Sequence, residues 1–132
     1  MKWFVKCIKN YVNFSGRARR MEYWMFYLIC QIIGLVIAIP YTITLFASIN
    51  LVTGDFNPSG AWVFFTILLA IYGLFLFLPS LAAMVRRLHD TGRSGAWWLI
   101  IFVPFVGVIW LIVLLALPGE SGENRFGPDP KA

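Results

Sequence analysis

Charge is scarce in this chain. Of 132 residues only 13% are Asp, Glu, Lys or Arg, against about a quarter in a soluble domain. Histidine occurs once, as His89, and cysteine twice, as Cys7 and Cys30. So few soft ligands, with no metal-site spacing, argue against a Cys/His metal centre. Cys7 in a basic segment and Cys30 in an apolar run also make a poor disulfide pair, and both read as small apolar residues. No cofactor is expected. Acids are scarcer than bases: six Asp and Glu against eleven Lys and Arg give a net charge of +5. Such an excess suits nucleic acid or an anionic surface. Here the basic residues flank apolar runs instead of striping a polar fold. Nucleic acid is therefore not expected, and the anionic face of a bilayer is.

Apolar residues make up 60% of the chain and aromatic ones 17%, more than so short a soluble protein can bury. Three stretches, 23–54, 56–85 and 94–119, contain no Lys, Arg, Asp or Glu. Each exceeds the roughly 20 residues a helix needs to cross hydrocarbon. The sequence thus predicts a single-domain, all-α integral membrane protein with three transmembrane helices near 22–48, 61–85 and 96–117. Glu22, at the edge of the first, is the one charge they contain. Ahead of them Trp3, Phe4, Cys7, Ile8, Tyr11 and Val12 recur at helical spacing, with Lys2, Lys6, Lys9, Asn10 and Asn13 opposite. This predicts an interfacial amphipathic helix over 2–14. The absence of a continuous apolar run before Arg17 argues against a secretory signal peptide. Residues 53–60 read as a loop, and 118–132 as a polar tail.

Basic residues set the orientation. Six lie before the first span (Lys2, Lys6, Lys9, Arg17, Arg19, Arg20), three in the second connection (Arg86, Arg87, Arg93) and none in the first. Three full spans put those nine on one side, cytoplasmic by the positive-inside rule. With Glu22 and Asp90 that side carries a net +7, and the other, with the tail, carries −2. Trp62 then belongs at the outer interface, and Trp97 and Trp98 at the inner one. Pro104 and Gly107 disturb the third span. We read it as a kinked crossing that leaves the tail outside. The competing reading is a re-entrant hairpin that returns the tail to the cytoplasmic side, which requires shielding of its backbone.

The stretch "RRLHDTGRSGAWW", residues 86–98, holds the densest polar chemistry. Gly92 suits a left-handed helix cap and Ser94 an N-cap, with Asp90 as a third structural residue of the turn. A catalytic His89–Asp90 pair is disfavoured, since helical neighbours point about 100° apart. Arg86, Arg87, His89 and Arg93, with Arg17, Arg19 and Arg20, are candidate contacts for lipid headgroups or a partner, because guanidinium forks match phosphate oxygens. Glu22 is expected to pair with Arg19, or with Arg86 or Arg87 across helices. Pro40, Pro79 and Pro104 are expected kinks. Pro79 and Pro104 lie at one depth and could frame a small cavity of the kind transporters use. Gly34 and Ala38 offer a small-residue seat for a neighbouring helix, internal or from another subunit. The absence of mid-span charge disfavours ion-coupled transport.

Four motifs, "NFSGRARRMEYW", "RRLHDTGRSGAWW", the Pro-x-x-Gly of "VPFVGVIWL" and the closing "ENRFGPDP", resemble the domain-of-unknown-function 805 family of small bacterial inner-membrane proteins. They run in the same order and cover nearly the whole chain. Ala96 departs from the tryptophan usual after Ser-Gly, and Trp97 and Trp98 follow it. The resemblance implies a multispan inner-membrane protein and brings no activity, cofactor or catalytic residue. It also implies that the patterned tail docks on something. Docking on the arginine loop would favour the hairpin. The functional expectation is a non-enzymatic membrane scaffold or accessory subunit with a cytoplasmic arginine face for anionic lipid or a partner, acting in a homo- or hetero-oligomer or alone. The alternative is a component of an oligomeric transporter or channel.

Overall fold

The structure, a computed structural model, describes residues 2–131. Helix α1 spans Lys2–Lys9, α2 Arg20–Ala47 and α3 Gly60–Asp90; a 3₁₀ helix follows at Gly95–Phe102, and α4 covers Val106–Ala116. Among the described residues there is no strand, only two isolated bridges. The chain divides into two compact units. One is residues 28–77, and the other joins the N-terminal part to 78–131.

Helices α2 and α3 match the first two predicted spans. At 28 and 31 residues they are about 42 and 46 Å long, more than the roughly 30 Å of bilayer hydrocarbon. Both are long and apolar enough to cross a membrane. Pro40 and Pro79 lie within continuous helix. In the 28–77 unit, Gly34 lies against Tyr72, whose ring would stand 3.6 Å from an added Cβ. The small-residue seat therefore takes an internal neighbour. Many side chains here face outward and are apolar, Leu74 being 76% exposed, as expected where lipid is the solvent.

Helix α1 is shorter than the predicted 2–14. Asn10 bonds back to the Lys6 carbonyl through its amide side chain at 2.9 Å, and the Asn13 carboxamide accepts from Ser15 N at 3.0 Å. Such local bonds compete with helix continuation. The helix packs on the start of α2, where Phe4 stacks on Phe26 with centroids 5.6 Å apart. Its Lys6 is half-exposed, but its ammonium does not stand free as expected: it reaches Glu22.

The largest correction concerns residues 96–117. They form two short limbs, not one helix. The 3₁₀ limb and α4 are each about 16 Å long, half a bilayer. Pro104 is not a kink within a span; it lies in the turn between the limbs. There Val106 N donates to Pro104 O at 2.8 Å across Phe105, whose φ is +63°. A positive φ at a bulky residue is costly, on the order of 1–3 kcal/mol. Closing the hairpin requires Gly107, where a Cβ would collide with the Ile100 carbonyl. Both ends of the hairpin reach the end of α3: Gly95 packs on Val85, and Arg87 Nε donates to Leu115 O at 2.9 Å. The tail thus starts beside the 86–95 loop, with Glu120 N donating to Asp90 O, the placement that the hairpin reading requires. Pro79 is buried and Pro104 exposed at the turn, so the expected proline-framed cavity loses its second wall.

Candidate functional site

Helix α3 ends as the sequence indicates. Arg93 N donates to Leu88 O and Gly92 N to His89 O, with Gly92 at φ +73°. This Schellman arrangement satisfies the last carbonyls. Ser94 caps the following turn through Ala96 N at 3.4 Å, although the helix it opens is 3₁₀.

The last turn of α3 carries Arg86, Arg87 and Asp90, all buried. Asp90 accepts from Arg17 Nε at 3.0 Å and from Arg87 Nη1. Glu22, fully buried, accepts from Arg86 Nη1 at 3.1 Å and from Lys6 Nζ at 2.6 Å. Each buried carboxylate thus holds two cations from separate elements. Removing one partner of a buried pair strands the other's charge, which costs about 3–5 kcal/mol. Arg86 also donates to Ala82 O at 3.3 Å, while its Nη2 has no partner among the described residues. Cys7 completes the Glu22 cluster, with Sγ 4.0 Å from Oε1. Burial, reinforced by the Glu22 charge, pushes its thiol above the ordinary range. It is therefore protonated and unreactive, in keeping with its reading as a packing residue.

The tail is held over this network. Arg17 donates through Nη1 to Gly122 O and through Nη2 to Glu120 O. Arg87 donates to Leu115 O and Leu117 O, so that a cation satisfies the carbonyls that end α4. Glu120 N donates to Asp90 O at 2.8 Å, and Asn124 Nδ2 to His89 O at 3.0 Å. Phe126 stacks flat on the His89 ring, centroids 4.0 Å apart and planes 3° apart. The approach is close enough that a Cβ on Gly119 would strike the Asp90 carboxylate, and one on Gly92 the Glu120 carboxylate. Within the tail, Lys131 N and Gly122 N both donate to Asp129. The Lys131 bond, foremost among these influences, holds the Asp129 carboxyl below its ordinary range.

The seven cationic candidates therefore separate. Arg17, Arg86 and Arg87 are turned inward and bind the chain's own carboxylates and carbonyls, not exposed headgroups. His89 is a packing residue, with Nδ1 3.2 Å from Gly16 O. Arg93 is half-buried and contacts Thr91 O at 3.4 Å. Asp90 is more than a turn residue, being the anion that joins α3 to the N-terminal segment. Arg19 and Arg20 border an open cavity of about 430 Å³. Met21 and Trp24 of α2 form one wall, Pro118 and Gly119 another, and Arg87 and Asp90 the floor, with Lys131 at the rim. Sequence reasoning missed Lys6, Gly119, Phe126 and Lys131. The patterned "ENRFGPDP" was a signal for Phe126 alone; Lys6, Gly119 and Lys131 lie outside it.

This combination defines a helical membrane protein whose polar end is organised around two buried carboxylates and closed by its own C-terminal tail. The chain belongs to the family described as "Protein of unknown function (DUF805)", whose profile matches residues 11–128. Inner membrane protein YhaI of Escherichia coli K12 is 48% identical over 131 residues, covering 99% of this chain and 97% of that protein. Inner membrane protein YhaH of the same strain is 46% identical over 131 residues, covering 99% and 98%. A more distant relative, the uncharacterized protein YiiR of that strain, is 31% identical over 142 residues, covering 89% and 85%. No solved structure matches the chain. The family and these relatives agree with a bacterial inner-membrane protein.

Proposed function

We propose that the chain is a small, non-enzymatic scaffold or accessory subunit of the inner membrane. It crosses the bilayer with α2 and α3, inserts residues 95–116 as a re-entrant hairpin, and holds its basic end on the cytoplasmic side against anionic lipid. The docking of the tail on the 86–95 loop carries this reading. With the tail there, all eleven Lys and Arg share one side of a two-span topology, and the 48–59 connection carries Asp55 alone. That asymmetry is stronger than the one three spans would give, and it favours the cytoplasm for the basic side. The Arg87 and Arg20 bonds to the end of α4 supply donors to its last carbonyls where the hairpin returns to the basic end. The non-enzymatic reading is supported by His89 and Asp90, which are turned to different partners and form no dyad.

Single cysteines at Ser121 and Val52, each in a Cys7→Ser, Cys30→Ser background, test the topology. In intact cells a membrane-impermeant thiol reagent is expected to label Val52→Cys and to reach Ser121→Cys only after lysis. Labelling of Ser121→Cys in intact cells would overturn the hairpin and restore a third crossing.

A further inference from the structure

The cavity beside Arg20 differs from the rest of the basic end in one respect: apart from Arg87 in its floor, its cations have no carboxylate partner among the described residues. Among the described residues no carboxylate pairs with Arg19, Arg20 or Lys131. Arg19 donates through Nε to Pro130 O, which draws the tail end, and Lys131 with it, towards the start of α2. Arg20 makes one long contact, 3.4 Å to Ala116 O. The sole acid in the lining, Asp90, is already held by Arg17 and Arg87, so it does not neutralise the rim. Arg20 and Trp24 lie four residues apart on one face of α2, where the helix passes from its charged start into 23 further residues without charge, up to Ala47. Tryptophan at that transition belongs at headgroup depth, and Met21 is 61% exposed beside it. A volume of about 430 Å³ falls within the roughly 300–1,000 Å³ of small-molecule sites. It is larger than bare phosphate needs.

We propose that this cavity is a specific site for a phosphate group carried on a glycerol-sized ligand. Arg19, Arg20 and Lys131 contact the phosphate oxygens, and Trp24 and Met21 cover the apolar part. Arginine forks bind such oxygens bidentately, and basic pockets at the cytoplasmic membrane face take anionic headgroups. The site rests on the orientation proposed above. It adds that one cavity, not the diffuse charge of the face, selects the ligand.

The test has a lipid arm and a soluble arm. In the first, the full chain is placed in bilayer nanodiscs of phosphatidylethanolamine with a minor fraction of phosphatidylglycerol, and retained lipid is measured by native mass spectrometry. In the second, protein in zwitterionic detergent is titrated with inorganic phosphate and with glycerol 3-phosphate, following thermal stability. Lys131→Gln, at an exposed position, and Arg20→Gln are compared with Lys9→Gln, which removes an equal charge outside the cavity. Preferential retention of phosphatidylglycerol, weakened about five-fold by each cavity variant and unchanged in Lys9→Gln, supports the site with a lipid source. Saturable stabilisation by glycerol 3-phosphate with the same variant pattern, and no lipid preference, supports it with a soluble source. Equal effects in all three variants, or no phosphate dependence in either arm, overturn it. Since cysteine labelling reads orientation independently of ligand, failure of this site would leave the topological reading standing, whereas a tail labelled from outside would remove Pro118, Gly119 and Lys131 from the cavity and overturn both.

Discussion

Two carboxylates do different work at this end of the molecule. Glu22 joins α1, α2 and α3 through Lys6 and Arg86, and Asp90 joins the N-terminal segment to α3 beneath the tail. Their loss should be unequal. Asp90→Asn leaves two buried arginines without a counter-charge, and an expected loss of about 3–5 kcal/mol would appear as a lower thermal midpoint in detergent. Glu22→Gln strands one buried arginine, Arg86, while Lys6 is 47% exposed and can turn to water, so a smaller loss, about 3 kcal/mol, is expected. Part of this was legible at the residue level. The Gly92 and Ser94 caps follow from local backbone chemistry, and the sequence offers Arg86 to Glu22 as one of three basic partners, with Arg19 and Arg87. The burial of Arg17 and Arg87 was not legible. A cluster of arginines reads the same whether its guanidiniums face phosphate or the chain's own carbonyls, and 73 residues separate Arg17 from Asp90.

At the scale of elements, composition settled α2 and α3 and misled on the stretch after them. Residues 96–117 are as apolar as a full span, but Pro104 and Gly107 permit a turn that hydropathy does not register. The hairpin depends on Gly107, since any side chain there meets the Ile100 carbonyl. Gly107→Val is therefore expected to destabilise the protein by at least about 1–3 kcal/mol. It should also free the Leu115 and Leu117 carbonyls from Arg87, which would raise the accessibility of a cysteine at Ser121 in opened membranes. Wild-type accessibility together with unchanged stability would show that the limbs are not packed in this way. Helix α1 shows the same limit on a smaller scale. Its apolar spacing continues to Val12, but the carboxamides of Asn10 and Asn13 bind the backbone and stop it at Lys9.

For the molecule as a whole, the tail is the element that decides side and exposure. Beyond the Arg17 and Asp90 bonds to its start, it is held by Phe126 on His89 and by Asn124 on the loop carbonyl. Phe126→Ala removes the stack while leaving Arg125 as a cleavage point. Losing an aromatic pair and its burial is worth about 1–2 kcal/mol. Trypsin should then cut at Arg125 in inside-out vesicles about ten-fold faster, if cleavage follows the open population. No change in rate would mean that the tail is held without this contact.

The sequence by itself determined that this is a helical membrane protein with a basic side. Hydrophobic length and Lys/Arg asymmetry are additive along the chain and need no knowledge of contacts. Tertiary structure alone decided where residues 120–131 lie, which arginines are consumed internally and which remain at an open cavity. Those outcomes depend on pairing between groups dozens of residues apart, where a buried charge must find its partner or be excluded. Nothing local to either partner records that choice.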